Sequence, residues 1–329
     1  MTAPTHTTQP VRSDSTLRRY ESITDLLPSV ENPTPLVRVR NTLPQMDVYL
    51  KLEWLNPFGS IKDRAASYLI SGLESTGALE GREIVEASSG NTAIALAAIG
   101  AARGTKVTIT IPDGVPEETA TILRMLGAEV WETPDDVCPV DHPKDGAIAL
   151  ARALAASEGG SRYVLPDQYA NPDNVLAHYE TTGPEIWNQT EGRITAFFAG
   201  FGTCGTLTGV GRYLKERNPG VRVIAIEPNA GHRLPGLKSF SEANEPENLD
   251  WDVIDDVVRV SDEEAYSMTL RLHRRDGLMV GPSTGAIVDG IERYQLDADS
   301  FVVGVSPDGV AKYASYFKDL LGSDGIPKM

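Results

Sequence analysis

Residues 81–112, "GREIVEASSGNTAIALAAIGAARGTKVTITIP", contain three successive segments with different residue patterns. The first part, "GREIVEAS", is a short apolar run typical of a strand. The Ala-rich part "TAIALAAIGAARG" is typical of a helix, which Gly104 is placed to end. The run "KVTITIP" is rich in β-branched residues and indicates a second strand. A strand, a helix and a strand in this order predict a right-handed βαβ unit with parallel strands.

The same alternation continues on both sides of this stretch. Further strands are predicted at residues 47–53, 128–133, 162–168, 194–202, 221–228 and 300–309. Helical patterns separate them at residues 118–128, 145–159, 206–219 and 262–277. We therefore predict an α/β protein whose mostly parallel sheets carry helices on both faces.

Length and local composition predict how the chain is organised. A chain of 329 residues exceeds the ~100–200 residues of a typical domain, so two domains or lobes are expected. Residues 1–20 are polar and lack the apolar segment of a secretory signal, which predicts a disordered N-terminal tail. The acidic stretch 239–256 has no clear periodicity and is predicted to be an exposed loop.

Charge and cysteine content exclude several classes of function. With 46 acidic and 30 basic residues the formal charge is −16, which argues against binding to nucleic acid or to an anionic membrane. No apolar run approaches the ~20 residues of a membrane helix. Two cysteines, Cys138 and Cys204, build neither a disulfide framework nor a zinc site. We expect a reduced, cytoplasmic protein without a metal.

Ligands of parallel sheets bind beyond the carboxyl ends of the strands, so the strand-to-helix turns are the candidate site. In "NPFGSIKDRAA" (56–66), Lys62 falls in the first turn of a predicted helix. The positive end of the helix dipole disfavours a cation there and lowers the pKa of an amine, which helps it attack a carbonyl. A solvated lysine at a helix end is the alternative interpretation.

Two further turns have the composition of anion-binding loops. "EASSGNTAIALAA" (86–98) places Ser88, Ser89, Gly90, Asn91 and Thr92 at a helix start, which suits a carboxylate. An ordinary helix cap would have the same residue types.

In "AGFGTCGTLTGVGRYL" (199–214), glycines and threonines follow an apolar strand, and this pattern favours a phosphate over a plain turn. The spacing is neither that of a Walker loop nor that of a dinucleotide-binding fingerprint.

A fourth turn, "GPSTGAIVDGI" (281–291), places Ser283 at another helix start, where a plain helix cap is the alternative. One ligand would use all four turns at once, because pyridoxal 5′-phosphate carries an aldehyde, a phosphate and a ring nitrogen. It also leaves room for the carboxylate of an amino acid. We therefore predict pyridoxal 5′-phosphate as the cofactor and a small amino acid as the substrate.

These motifs resemble those of the cysteine synthase/cystathionine β-synthase family of pyridoxal-phosphate enzymes, which have the tryptophan synthase β fold, or fold type II. The resemblance runs from about residue 30 to about 318 and includes a long signature, "DQYANPDNVLAHYETTGPEIW" (167–187). It implies two three-layer α/β lobes. The large cofactor-binding domain would comprise residues 21–65 and 171–329, and the small mobile substrate-carboxylate domain residues 66–170.

The resemblance also implies a role for each candidate residue. Lys62 is the Schiff-base lysine and the catalytic base, Asn91 faces the 3′-oxygen of the cofactor, and Ser283 faces its pyridine nitrogen. The implied cofactor-binding residues are Lys62, Asn91, Gly202, Thr203, Cys204, Gly205, Thr206 and Ser283. The implied substrate-binding residues are Ser88, Ser89, Gly90, Asn91, Thr92 and Gln168.

Some residues depart from the family pattern. Cys204 stands where the phosphate loop usually has a glycine, and Ala93 replaces a glycine common in cysteine synthases. The "SSGNTA" wording is closer to threonine synthases. "SPDGVAKYAS" (306–315) stands where the family often has Ser-Gly-Glu-Arg-Tyr, with Pro307 and Asp308 expected on the ring side. These differences bear on the donor and the acceptor rather than on the cofactor.

The implied reaction is β-replacement on an activated serine, O-acetylserine or O-phosphoserine, by a sulfur nucleophile through an aminoacrylate, giving cysteine or a derivative. A cystathionine β-synthase without a regulatory tail, a threonine synthase or a serine/threonine dehydratase are alternatives on the same fold. Dehydratases usually have histidine where Thr92 stands. A non-enzymatic scaffold is a further alternative, which intact Lys62, Asn91 and Ser283 disfavour. The family implies a homodimer.

One basic cluster stands out in the acidic chain. The loop 227–240 carries His232, Arg233 and Lys238. Surface ion pairs with residues such as Glu242 and Glu245 would explain it. The functional alternative is that Arg233 binds an anionic partner, such as O-phosphoserine or thiosulfate, because a guanidinium matches the oxygens of such groups.

Overall fold

The computed structural model describes residues 19–113, 117–134 and 146–317. Its strands are β1 Leu36–Arg38, β2 Asp47–Leu52, β3 Glu83–Ala87, β4 Val107–Pro112, β5 Glu129–Thr133, β6 Tyr163–Val164, β7 Ala196–Gly200, β8 Arg222–Pro228, β9 Asp256–Val260 and β10 Phe301–Ser306. Its α-helices are α1 Lys62–Ser75, α2 Asn91–Arg103, α3 Glu117–Met125, α4 Ala147–Ala156, α5 Asp173–Ala177, α6 Gly183–Gln189, α7 Gly205–Arg217, α8 Asp262–Asp276, α9 Pro282–Arg293 and α10 Ala314–Phe317. The predicted disordered tail lies outside the described residues, apart from its last two.

The strands form two sheets. Six of them have the order β1-β2-β10-β7-β8-β9, and four have the order β5-β4-β3-β6. Every pairing is parallel except that of β1 with β2. The prediction of an α/β fold with mostly parallel sheets is confirmed. The strands of the smaller sheet lie within residues 83–164, and the assignment of residues 66–170 to a small mobile domain stays a prediction.

The opening stretch folds as a parallel βαβ unit. Ile84 of β3 is opposite Val107 of β4, and α2 lies between these two strands in the chain. The helix ends at Gly104, whose φ of 72° is in the left-handed region that glycine adopts without strain.

Both faces of the smaller sheet are covered, because successive side chains of a strand point to opposite faces. Ile84 packs in one cluster with residues of α2 and α3, whereas Val85 and Ala87 pack in another with Ala147 of α4. This sandwich of a sheet between helices explains why β4 is buried along its whole length and reads as a continuous apolar run.

The larger sheet is built around β10, which lies between β2 and β7 and is buried at all six positions. Its neighbour β7, and β8 on the far side of β7, are almost as fully buried. The sequence analysis missed the short antiparallel β1 and the edge strand β9. It was also wrong to treat residues 239–256 as simply exposed, because Ser239 and Asn248 in this irregular segment are buried.

A fully buried ion network joins helix α1 to the rest of the molecule. Arg64 binds Glu53, which follows β2, with Nε–Oε2 2.8 Å, and Glu185 of α6, with Nη1–Oε1 2.5 Å. Lys51 of β2 completes it at 2.6 Å from Glu185. Burial alone would raise the pKa of Glu53, but the charge and hydrogen bonds of Arg64 lower it to about 2.

Such a network contributes less to stability than its short distances suggest, because each ion loses its hydration. Its removal is costly only when one partner is left buried without the other. The network therefore fixes the position of α1 more than it adds net stability. Arg64 lies two residues after Lys62 in this helix.

We predict that Arg64→Met lowers the free energy of unfolding by about 3–5 kcal/mol, because Glu53 and Glu185 stay buried without their partner. Urea denaturation measures the change. Arg124→Met is the matched control, since Arg124 and Glu132 pair at the surface with about half of each side chain exposed, and we expect a loss below about 1 kcal/mol. Equal losses for both variants would contradict the assigned role of the network.

A second prediction concerns acid. The pKa of Glu53 in the folded protein, about 2, is below its ordinary 4.5. Its ionised form therefore stabilises the fold above pH 4.5, and this contribution is lost as the pH falls toward 2. The difference in unfolding free energy between wild type and Glu53→Gln should shrink over this range. A difference that does not change with pH would show that Glu53 does not titrate with folding.

Candidate active site

Lys62 is the first residue of helix α1, and the two residues before it contact the segment that follows β10. Ile61 N–H donates to the carbonyl of Pro307 at 2.8 Å, and Ser60 forms an isolated β-bridge with Asp308. Ser60 Oγ accepts from the N–H of Lys62 at 3.2 Å. The backbone of Lys62 is thus attached to the large sheet.

The side chain of Lys62 is half-buried, and its Nζ makes no hydrogen bond or ion pair with any residue of the described ranges. Burial lowers the pKa of this amine, while the charge of Asp308 acts in the opposite direction. The result favours a neutral amine, which is a nucleophile and a base.

The turn between β3 and α2 is folded around Ser88. Its buried hydroxyl accepts from the N–H of Gly90 at 3.4 Å and from that of Ala93 at 3.2 Å. Ser89 is half-buried, and no residue of the described part hydrogen-bonds its hydroxyl. The start of α2 therefore presents a hydroxyl and N–H groups of the kind that can bind a carboxylate.

Gln168 lies against this turn, as the resemblance implied. Thr92 Oγ1 donates to Gln168 Oε1 at 2.6 Å, and Gln168 Nε2 donates to the carbonyl of Ala87 at 3.3 Å. Glu86 accepts from the N–H of Gln168 at 3.3 Å. The pKa of the buried Glu86 carboxyl is raised to about 8 by burial and by the charge of Asp167.

The glycine-rich loop between β7 and α7 packs closely on its surroundings. A Cβ at Gly205 would overlap Asn174 Oδ1, and one at Gly202 would approach the carbonyl of Gly236 to 3.0 Å. Asn174 Nδ2 donates to Thr203 Oγ1 at 3.0 Å and to the carbonyl of Gln168 at 2.7 Å. Through Asn174 these contacts connect the loop to Gln168, which contacts Thr92 at the start of α2.

Two buried polar side chains, His178 and Asn174, lie beside this loop. Thr206 Oγ1 lies 3.3 Å from Nε2 of His178. Burial, with the charges of Arg64 and Lys62, lowers the pKa of His178 to about 3, so this imidazole is neutral. Asn174 Oδ1 is buried and has no hydrogen-bond partner in the described ranges.

Cys204 occupies the glycine position of the loop with φ 62°, a left-handed conformation that costs a residue with a Cβ free energy. Its side chain packs in the large apolar cluster, 4% exposed, with Sγ 3.9 Å from the carbonyl of Gly202. Burial raises the pKa of this thiol to about 12. The thiol is therefore protonated and not a nucleophile.

Ser283 lies in the first turn of α9 and is 3% exposed. Its hydroxyl has no partner among the described residues, whereas that of the adjacent Thr284 pairs with Ser306 at 3.0 Å. The N–H of Gly281, just before the helix, donates to the carbonyl of Asp308 at 3.0 Å. The same segment that holds Lys62 therefore also holds the start of α9.

The sequence analysis missed the polar network around Asn91. Asn91 Nδ2 donates to Asp308 Oδ2 at 2.7 Å, and Lys312 Nζ donates to Asn91 Oδ1 at 2.7 Å. The hydroxyl of Tyr313 donates to the same carboxylate oxygen of Asp308. The one available signal was the unusual wording "SPDGVAKYAS", which placed Asp308 near the ring but gave Lys312 no role.

The buried Asp308 carboxyl is 2% exposed, and its Oδ1 lacks a hydrogen-bond partner in the described ranges. Burial raises its pKa, against the effects of Tyr313, Asn91 and two lysines, Lys312 and Lys62. Burial likewise lowers the pKa of Lys312. A buried carboxyl with a pKa shifted by desolvation is typical of a functional site.

Arg233 is exposed, and only its backbone is bound, with its N–H donating to Asp262 Oδ2 at 2.8 Å. Its guanidinium has no ion pair in the described ranges. Glu242 instead accepts from the N–H of Gly231, and Glu245 from the indole of Trp251. Within the described ranges Arg233 therefore does not pair with either carboxylate, and its role as an anion contact stays a prediction.

No three metal-ligating side chains of the described ranges come together. Among the helices of those same ranges, none is long and apolar enough to cross a bilayer.

The chain is similar to several known proteins over most of its length. The family model described as pyridoxal-phosphate dependent enzyme matches residues 27–308. A cysteine synthase of Aquifex aeolicus is 39% identical over 306 residues, which cover 89% of this chain and 92% of that protein. Cysteine synthase B of Escherichia coli is 37% identical over 286 residues, or 86% of this chain and 92% of the relative.

A solved structure agrees as well. The crystal structure of a cysteine synthase (OASS) from Entamoeba histolytica matches with a TM-score of 0.80 and 28% identity. The match covers 94% of this chain and 92% of the other. Sequence and fold lead to one conclusion: the chain belongs to the cysteine synthase family of pyridoxal-phosphate dependent enzymes.

Proposed function

We propose that this protein forms cysteine or a cysteine derivative by pyridoxal-phosphate dependent β-replacement. The donor is an activated serine, O-acetylserine or O-phosphoserine, and the nucleophile is a sulfur species. The observation that carries the proposal is the unpartnered amine of Lys62, with a lowered pKa. The cysteine synthases related over most of the chain favour this reaction over the cystathionine, threonine synthase and dehydratase alternatives.

The residues present fit the cofactor. Lys62 offers an amine and Ser283 a hydroxyl, and neither group is used by the described protein. The loop from Gly202 to Thr206 opens the 13-residue helix α7, so its N–H groups suit a phosphate. Lys62, Asn91, the glycine loop and Ser283 would hold the cofactor. When bound, it supplies an electron sink that eases loss of a proton at Cα and of a leaving group at Cβ.

Lys62 is assigned the movement of the proton at Cα. Its amine must be neutral to accept this proton, and burial shifts its pKa in that direction. The nearby carboxyl of Asp308 limits the shift, so the amine can still hold the proton and return it. Lys62 thus acts as both general base and general acid.

The carboxylate of the amino acid is assigned to the start of α2. Ser88, Ser89, Gly90, Asn91 and Thr92 provide N–H groups and hydroxyls. The contact of Thr92 with Gln168, 2.6 Å long, supports a shared role for these two side chains. The positive end of the α2 dipole adds to the attraction for an anion.

Ser283 is assigned to the ring nitrogen. Its hydroxyl is neutral, and no carboxylate is proposed to contact the ring nitrogen. A carboxylate would keep the nitrogen protonated and stabilise charge at Cα for longer. The neutral hydroxyl favours early loss of the group at Cβ instead.

The organisation of the protein forms part of the same proposal. We expect a homodimer in the cytoplasm, as the family implies. Residues 66–170 would form a small mobile domain that closes over the substrate carboxylate and excludes water. The separate four-stranded sheet within residues 83–164 supports this assignment.

Lys62→Ala should abolish the yellow colour of the protein and nearly all turnover, because no other amine is assigned to hold the cofactor or move the proton. Absorbance and mass-spectrometric detection of cysteine measure the two effects, and circular dichroism checks the fold. Lys106→Ala, at a lysine 80% exposed in its ion pair with Glu83, should leave both unchanged. Most of the activity remaining in Lys62→Ala would refute the proposed function.

A matrix of donors and acceptors tests the substrate class. If Arg233 binds an anionic partner, Arg233→Ala should cut kcat/KM with O-phosphoserine or thiosulfate by about ten- to a hundredfold, the worth of one charge-assisted hydrogen bond of ~1.5–3 kcal/mol. The loss with O-acetylserine and sulfide should be small. Arg38→Ala, which removes an exposed partner of Asp47, is the control. Equal losses for all partners would exclude this role.

A further inference from the structure

We infer that Lys312 and Asp308 are positioning residues that orient the side-chain amide of Asn91 as a hydrogen-bond donor toward the cofactor. The inference rests on the proposed function, which assigns Asn91 to the 3′-oxygen of pyridoxal 5′-phosphate. Neither residue is proposed to react. Both would act through Asn91, which begins the helix after the carboxylate-binding turn.

The two contacts of Asn91 are chemically directional. The oxygen and nitrogen ends of an amide have nearly the same shape, so only their partners decide which end lies where. An ammonium only donates, and Lys312 Nζ lies 2.7 Å from Oδ1 of Asn91. A carboxylate oxygen accepts, and Asp308 Oδ2 lies 2.7 Å from Nδ2. A flipped amide would turn both contacts into repulsions.

This orientation leaves one hydrogen to spare. Nδ2 carries two hydrogens, and within the described ranges Asp308 takes only one of them. The oxygen end, by contrast, is engaged by Lys312. Asn91 can therefore donate a hydrogen bond to a ligand oxygen, while its own oxygen stays bound to Lys312. A negatively charged ligand oxygen requires such a donor.

The two orienting residues are themselves held in place. Tyr313 donates to the same oxygen of Asp308 that Asn91 contacts, which keeps that oxygen an acceptor. Lys312 Nζ also donates to the carbonyl of Phe58 at 3.4 Å, close to the charge of Asp63. The backbone carbonyl of Asp308 accepts from Gly281. Their anchoring extends to the segments that carry Lys62 and Ser283.

A structural role alone accounts poorly for this arrangement. Asp308 is 2% exposed and keeps one oxygen without a partner in the described ranges. Burying a carboxyl that is only half satisfied is unfavourable, and an apolar residue would pack there at lower cost. The arrangement is understandable when the orientation of Asn91 is what it maintains.

A double-mutant cycle on cofactor affinity tests the inference. The four proteins are wild type, Asn91→Ala, Lys312→Met and the double variant, each stripped of cofactor and titrated with pyridoxal 5′-phosphate by fluorescence. Lys312→Met should weaken binding about tenfold, and Asn91→Ala at least as much. The double variant should bind within about twofold of Asn91→Ala, because Lys312 has nothing left to orient.

Three controls sharpen the cycle. Lys312→Arg keeps a donor and should restore affinity to within about threefold of wild type. Lys215→Met removes a partly buried lysine, paired with Asp255 at 2.7 Å, and should leave affinity unchanged. Asp308→Asn tests the opposite contact, and its cycle with Asn91→Ala should also be non-additive. If melting curves show that Lys312→Met is unfolded, the cycle with Asp308→Asn replaces the cycle with Lys312→Met.

Wild-type affinity in Lys312→Met, or additive losses in the cycles, would overturn the inference while leaving the proposed function intact. Absence of cofactor binding to the wild-type protein would instead overturn the proposed function. The visible spectrum of the loaded proteins gives a second signal, since it should shift in Lys312→Met and not in Lys215→Met.

Discussion

The buried guanidinium of Arg64 is the constraint on which the site depends. Two carboxylates from different parts of the chain, Glu53 and Glu185, bind it, and all three side chains are fully buried. Because a buried charge without its partners is so unfavourable, α1 has little freedom to rotate or slide. Lys62 precedes Arg64 on the same helical turn, so the backbone that carries its amine is positioned by a structural ion network.

Asp308 extends this order to the other side of the site. Its backbone meets the strand-like approach to Lys62 and the start of α9, and its side chain meets Asn91. Three candidate site segments from distant parts of the sequence are thus held by contacts with one residue. A shift of this segment would move all three together, so the distances between them would change less than the position of any one of them.

Much of this could be predicted from the sequence, and the failures have a common cause. The βαβ units and the turns around Lys62, Ser88 and Cys204 follow from local periodicity and glycine placement. The edge strand β9 and the network of Lys312 do not, because pairing at an edge and side-chain partners more than two hundred residues apart depend on tertiary packing. The same holds for residues 239–256, whose acidic composition hid the buried Asn248.

The glycine-rich loop has a consequence for redox chemistry. An enzyme that handles sulfur nucleophiles works among compounds with sulfur–sulfur bonds, and a thiolate attacks such a bond and forms a mixed disulfide. A reactive thiol in a cofactor-binding loop would make the enzyme vulnerable to its own reactants. Cys204 is buried and its thiol has a pKa of about 12, so it does not take part in such exchange. The chain accepts a strained backbone at this position, yet its sulfur stays chemically silent.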